Sequence, residues 1–272
     1  MRLPAGRPFY KMSGSGNDFV VFDARETPPG PLAEPAAVQA ICARATGVGA
    51  DGVVFLEPSA TAAFRMRYLN RDGSLARMCG NAALCVTRLA VELEAAPAEG
   101  FVFDSDAGKV SARMTDGEPE VDLAPIARLA PDAVIARATG ERRIGFVEVG
   151  VPHLVVLCED AAAADVAGRG AALRAHASLA DGANVNFLSR SGGEWRMRTY
   201  ERGVEAETLA CGTGAAAAAA LLHAWGEAAG GVGLRTRSGS VLRVRLAPAG
   251  GGYAPSLRGE GRIVFGGVLG EL

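Results

Sequence analysis

The 272-residue sequence predicts two similar α/β halves, each a curved β-sheet carrying a central helix. Four observations predict it. A Cys-Gly-polar triplet occurs twice, as Cys79-Gly80-Asn81 and Cys211-Gly212-Thr213, 132 positions apart, each time directly before an alanine-rich stretch of helical composition. At the same offset "GADGVVFL", ending at Leu56, overlays "GANVNFL", ending at Leu188. Between these anchors "RMRYLNRDG" overlays "WRMRTYERG" with a one-residue adjustment, which sets Asn70 near Glu201 and Asp72 near Gly203. Upstream, "GNDFVV" (16–21) agrees with "VPHLVV" (151–156) at an offset of 135. The period is that of a domain and not of a solenoid. The Pro- and Ala-rich segment "DLAPIARLAPDA" (122–133) reads as the linker.

The elements follow from periodicity. In chain order, "DFVVFD" (18–23), "GVVFLE" (52–57), "FRMRYL" (64–69) and "KVSARM" (109–114) have the apolar or alternating runs of strands. Helical patterns interrupt them over Leu32 to Arg44 and from Asn81 to about Glu94, where "AAPAEG" stops the second. The second half resumes with strands "FVEVG" and "HLVVL", a helix near Ala171 to Ala177, strands "VNFL" and "WRMRTY", and a helix from Gly212 to about Ala228. Strands "VLRVRL" and "RIVFG" close the chain.

Composition narrows the function. Hydrophobic residues make up 49% and charged residues 21%, with a formal net charge of −2, which offers no electrostatic footprint for nucleic acid. The first residues lack an apolar leader, and the longest apolar run, Ala215 to Leu222, falls far short of the ~20 residues that span a bilayer. A cytoplasmic protein with a small-molecule partner and no membrane association is expected. Five cysteines are too few and too odd in number for a disulfide scaffold, so reduced thiols are expected. Neither the cysteines nor the three isolated histidines show metal-ligand spacing, and no metal is expected. Cys42, Cys85 and Cys158 lie in apolar surroundings and read as buried small hydrophobes. "GSGN" (14–17) lacks the third glycine and following helix of a dinucleotide loop.

Two halves packed face to face would aim their equivalent helix N-termini at one cleft. Each N-terminus exposes backbone N–H groups and about half a positive charge, a ready anion site for a carboxylate. Asn81 and Thr213 suit N-terminal capping positions, and Gly80 and Gly212 let a ligand approach the backbone. A cysteine at a helix N-terminus is shifted toward thiolate. Two such groups on opposite sides of one carbon form a general base and a general acid, the machinery for inverting a stereocentre. The helix ends would stabilise the charge that develops on the adjacent carboxylate. No cofactor is then required, and with Lys11 and Lys109 the only lysines, neither in a phosphate loop, the pattern of a pyridoxal enzyme is missing.

"KMSGSGNDFVVFD", "YLNRDGSLARMCGN", "GVPH", "GANVNF" and "YERGVEAETLACGTGAA" together resemble the diaminopimelate epimerase family, whose members interconvert LL- and meso-diaminopimelate without a cofactor for lysine and peptidoglycan synthesis. The resemblance implies that Cys79 and Cys211 are the acid/base pair. It implies that the N–H groups of Gly80, Asn81, Gly212 and Thr213 hold the carboxylate beside the reacting carbon. Asn17, Asn70, Asn184, Glu201 and Arg202 would contact substrate, Arg202 gripping the distal carboxylate, and His153 and Glu201 would adjust the cysteine pKa values. It further implies a homodimer and two pseudo-symmetric domains, an N-terminal half over 1–125 with the last strand, 258–272, returning to it, and a C-terminal half over 126–257. The sequence departs from the family pattern at Ser13, Ser15, Gly52, Ala82, Leu84 and Val151. Two rival readings are a two-cysteine racemase or epimerase acting on proline, hydroxyproline or a histidine-like substrate, and a thiol redox switch in a binding protein. Asn81 and the "ERG" box at 201–203 speak against the first.

Overall fold

The computed structural model describes residues 5–250 and 252–271. The elements, in chain order, are β1 (Pro8–Gly14), β2 (Asn17–Asp23), α1 (Pro35–Cys42), β3 (Gly52–Glu57), β4 (Arg65–Asn70), β5 (Leu75–Ala76), α2 (Gly80–Glu92), β6 (Phe101–Ser105), β7 (Gly108–Thr115) and β8 (Glu118–Asp122). They continue with β9 (Arg128–Ala130), β10 (Glu141–Val149), β11 (Val151–Cys158), α3 (Val166–Arg174), β12 (Asn184–Ser191), β13 (Glu194–Glu201), β14 (Ala206–Thr208), α4 (Gly212–Ala224), β15 (Gly231–Arg235), β16 (Val241–Ala249), β17 (Gly252–Arg258) and β18 (Arg262–Val268). A short 3-10 turn, Gly30–Ala33, precedes α1. The fold is sheet-dominated α+β. No helix among the described residues is long and apolar enough to cross a membrane.

The chain divides into two compact units, one of Met1–Val121 with Gly259–Leu272, the other of Asp122–Arg258. In the first unit the ladder runs β18-β1-β2-β3-β4-β6-β7-β8, with β5 also paired to β4. The β2–β3 and β4–β6 pairs are parallel and the others antiparallel. In the second unit the ladder runs β9-β10-β11-β12-β13-β15-β16-β17, with β14 also on β13. Here too only two pairs are parallel, β11–β12 and β13–β15, at the corresponding places. Each sheet curls round one helix: α2 touches β18, β1, β2, β4 and β7, and α4 touches β10, β11, β12, β15, β16 and β17. Neither ladder pairs its own first and last strands among the described residues, so each sheet is open.

Alternation along the strands separates two layers in each unit. On the outer face of the first unit, Val20, Phe22, Val53, Phe55 and Leu69 pack with Val38 and Ile41 of α1. Leu154, Val156, Val185, Phe187 and Tyr200 pack likewise with Val166 and Leu173 of α3 in the second. The inner face covers the central helix. α4 buries all six alanines from Ala215 to Ala220, which lets it sit close to the sheet. Gly14 and Gly261 abut α2 so closely that a Cβ would lie 2.5 Å from Asn81 O and 2.6 Å from Leu84 O. Gly145 does the same for α4, where a Cβ would lie 2.6 Å from Leu221.

The register corrects the upstream overlay of the two halves. Met12 faces Phe19 across the β1–β2 hairpin, and Val147 faces His153 across the β10–β11 hairpin. The first pair relates to the second by 135 positions in one strand and 134 in the other. The second hairpin turn is therefore one residue shorter. His153 occupies the place of Phe19 and not, as the 135-offset overlay implies, that of Asp18. A one-residue slip moves a side chain to the opposite face: Asp18 lies on the outer side, His153 on the side of the central helix. Downstream the overlays hold, since Val54 pairs with Tyr68 as Asn186 pairs with Thr199.

Candidate active site

Both cysteines of the repeated triplet are the N-cap residues of the central helices. Cys79 has φ −137° and ψ 118°, and Cys211 has φ −138° and ψ 113°; each precedes a 13-residue helix. Extended backbone at the cap leaves the next N–H groups open at the helix mouth, with Gly80 and Gly212 at the first helical position. The expectation that Asn81 and Thr213 are the caps is thereby corrected: they stand second in their helices, and the cysteines cap. Cys79 is half-buried and Cys211 is buried. Cys211 Sγ accepts from Gly214 N–H at 3.4 Å and lies 3.6 Å from Thr213 Oγ1. All five cysteines are thiols. Burial pushes the pKa of Cys42 and of Cys158 up to about 11 and that of Cys85 well above its ordinary value, so these three are inert fillers.

In the first unit, Asn17 and Asn81 meet at the mouth of α2. Asn17 Nδ2 donates to Asp51 Oδ2 at 3.0 Å, and Asn17 Oδ1 accepts from Asn81 Nδ2 at 2.6 Å. A carboxylate only accepts, so Asp51 dictates which way both amides point. Asp51 is itself held by Arg44, which also grips Asp18. Lys11 donates to Asp18 and to Gly49 O from the other side. Burial works against the charge on Asp18, but Arg44 and Lys11 outweigh it and hold its pKa below the usual carboxylate value. Asp51 was not foreseen from the sequence; its signal was the "GAD" triplet preceding β3. "GSGN" forms a two-residue hairpin turn with positive φ at Ser15 and Gly16, which brings Asn17 beside α2. Asn70 ends β4, pairs with Gly52 and donates to Ser74 Oγ at 3.0 Å. Gly52 lies under Tyr68, whose ring would be 2.5 Å from a Cβ there.

In the second unit, His153 pairs with Asn184 in the β11–β12 ladder. Asn184 Oδ1 accepts from the Arg202 backbone N–H at 2.8 Å, and Arg202 Nη1 donates to Asp181 O at 3.1 Å. Glu201 is the last residue of β13, one step beyond the Val185–Tyr200 pair. His153 is fully buried; burial, and secondarily the charge of Arg202, pushes its pKa down to about 3, so it is neutral at physiological pH. The structure thus brings Asn17, Cys79, Gly80 and Asn81 together at one helix end. Asn184, Arg202 and His153 form the other group, with Cys211, Gly212 and Thr213 at the mouth of α4.

The architecture defines a class. Solved structures with the same fold include a hydroxyproline epimerase from Agrobacterium vitis with bound trans-4-hydroxy-L-proline, at a TM-score of 0.70 and 20% identity over 99% of this chain and 94% of that one. Another is a phenazine biosynthesis protein of the PhzF family from Bacillus anthracis, at a TM-score of 0.73 and 13% identity over 99% of both chains. The family model described as diaminopimelate epimerase matches residues 9–127 and 145–245. Diaminopimelate epimerase of Gemmatimonas aurantiaca is 50% identical over 97% of this chain and 99% of its own, and that of Aquifex aeolicus is 38% identical over 87% of this chain and 88% of its own. The chain belongs to the diaminopimelate epimerase family.

Proposed function

We propose that the protein epimerises diaminopimelate between its LL and meso forms, in the supply of lysine and peptidoglycan precursors, with Cys79 and Cys211 as the proton-transfer pair. The carrying observation is that two cysteines occupy the N-cap positions of two equivalent helices with the same backbone geometry. One cysteine, as thiolate, removes the α-proton; the other, as thiol, returns a proton to the opposite face, so that configuration inverts while the charge of the pair is conserved. The N–H groups of Gly80, Asn81, Gly212 and Thr213 hold the α-carboxylate, whose negative charge grows as the proton leaves. Asn17, Asn70, Asn184 and Glu201 contact the substrate, and Arg202 takes the distal carboxylate in a bidentate grip. His153 and Glu201 tune the thiols. No step calls for a cofactor, and the same reading makes the enzyme a cytoplasmic homodimer.

The test is ¹H NMR of LL-diaminopimelate in D₂O with the reduced protein and no added cofactor. Loss of the α-proton signal with appearance of the meso isomer is expected. Exchange with L-proline or trans-4-hydroxy-L-proline in place of diaminopimelate would overturn the substrate assignment, and no exchange with any of them would overturn the reaction.

A further inference from the structure

Asn186, in the middle of β12, has no exposed surface, and three groups surround its side-chain amide. Nδ2 donates to Leu154 O at 3.1 Å and lies 3.2 Å from His153 Nδ1, while Oδ1 accepts from Thr199 Oγ1 at 2.9 Å. A backbone carbonyl only accepts, so the edge of the amide facing Leu154 and His153 is its NH₂. That NH₂ has only protons to offer, so His153 Nδ1 presents its lone pair and the ring proton of the neutral imidazole resides on Nε2. The Nε2 atom is buried and has no hydrogen-bond partner among the described residues. Buried donors without a partner are rare in folded proteins, and one left open points to a group supplied by a ligand or by the reaction.

The fold does not require this polar trio. At the corresponding places the first unit has Phe19, Val54 and Tyr68, with the Phe19 and Tyr68 rings edge to face at 5.8 Å. The trio is also tied to α4: a Cβ on Gly214 would lie 2.3 Å from Asn186 Oδ1, and Gly214 is the residue whose N–H bonds Cys211 Sγ. We propose that Asn186 is a positioning residue that locks His153 in the Nε2–H tautomer, so that His153 serves as a neutral hydrogen-bond donor to an anion in the active site and not as a base. The proposal rests on the reading of His153 as part of the epimerase site.

Long-range ¹H–¹⁵N NMR of protein labelled in its three histidines reads the tautomer directly and needs no turnover. The His153 signals, assigned by replacing His176 and His223, should show a protonated Nε2 and a bare Nδ1 across pH 5.5 to 8.5. A protonated Nδ1, or a ring that charges in that range, would overturn the proposal even if no variant folds. Asn186→Asp keeps the shape but replaces the donor with an acceptor. It should move the proton to Nδ1 and lower kcat about tenfold or more with KM little changed, in the range of other lost orienting partners. An unchanged tautomer, or an altered one with kcat intact, would overturn it. Diaminopimelate should shift the wild-type Nε2 resonance. Persistence of that shift in Cys211→Ala assigns the acceptor to substrate, loss of it assigns the acceptor to the thiolate, and no shift in the wild type overturns the donor role. Failure of the epimerase reading is seen separately, as absence of α-proton exchange by the unaltered protein.

Discussion

The two units share a strand plan and a capped central helix, and they differ most in what lies beneath that helix. In the first, Phe19, Val54 and Tyr68 form an apolar layer, and the polar groups are displaced to the outer edge, where Lys11, Asp18, Arg44 and Asp51 pair. In the second, His153, Asn186 and Thr199 bring polarity inside, fully buried and bonded to one another. Each unit ends in an amide relay whose direction is set by an acceptor: Asp51 orients Asn17 and Asn81, and Leu154 O orients Asn186 against His153. One scaffold thus holds its two helix mouths by different means, a solvent-edge ion network on one side and a buried neutral network on the other. Duplicated folds do not imply duplicated electrostatics.

The sharpest way to break the comparison is at the thiols. Cys79→Ala and Cys211→Ala should each lower the rate of α-proton exchange by about 10³-fold or more, as loss of a general acid or base does at its upper range. A variant retaining activity within tenfold would show that the two caps are not a pair, and steady-state kinetics on LL- and meso-diaminopimelate decide it.

The buried histidine separates the units by pH. The folded pKa of His153 is about 3, against about 6.5 for an unfolded histidine. A depressed folded value means that the unfolded chain takes up a proton that the native state refuses. The contribution is therefore whole above pH 6.5 and is lost as pH falls from there toward 3, at up to about 1.4 kcal/mol per pH unit. Phe19 carries no such proton, and the stability that Asp18 contributes, its folded pKa being lowered, is whole above the ordinary carboxylate range and is lost only as pH falls through and below it. Urea unfolding at pH 7, 6, 5 and 4 should show a flatter pH dependence for His153→Gln than for wild type; equal slopes would remove the distinction.

The smallest effects concern the glycines that seat the helices. Gly14→Ala sets a methyl 2.5 Å from the backbone oxygen of Asn81, and Gly214→Ala sets one 2.3 Å from Asn186 Oδ1. Each should destabilise by about 1 to 3 kcal/mol, the usual cost of overpacking. Gly14→Ala should be the larger because its obstacle is main chain, and chemical denaturation at pH 7 ranks the two.

Much of this was legible in the chain itself. "GVVFLE" is β3 residue for residue, and the α2 and α4 starts fall within one position of the expected ones, because a cysteine in extended backbone followed by glycine and alanines is a local signal. β1, β5, β6, β8, β9, β14, β15 and β17 were not anticipated: they are short, edge-lying or broken by glycine and proline, and only their neighbours make them strands. The expected helix over Leu32 to Arg44 divides at Glu34 into a 3-10 turn and α1, each opening near a proline. Asn186 stood inside the "GANVNF" motif, yet its partners Leu154 and Thr199 come from neighbouring strands and left no local trace.

The sequence by itself determined the two helix mouths, their cysteines and the repeat that relates them, because capping and helix formation depend on residues adjacent in the chain. Tertiary structure alone decided that His153 faces the central helix, which of its nitrogens is bonded, and that Gly52 must stay bare beneath Tyr68. A turn one residue shorter reverses every side chain after it, and hydrogen-bond partners drawn from three strands exist only once the sheet has set its register.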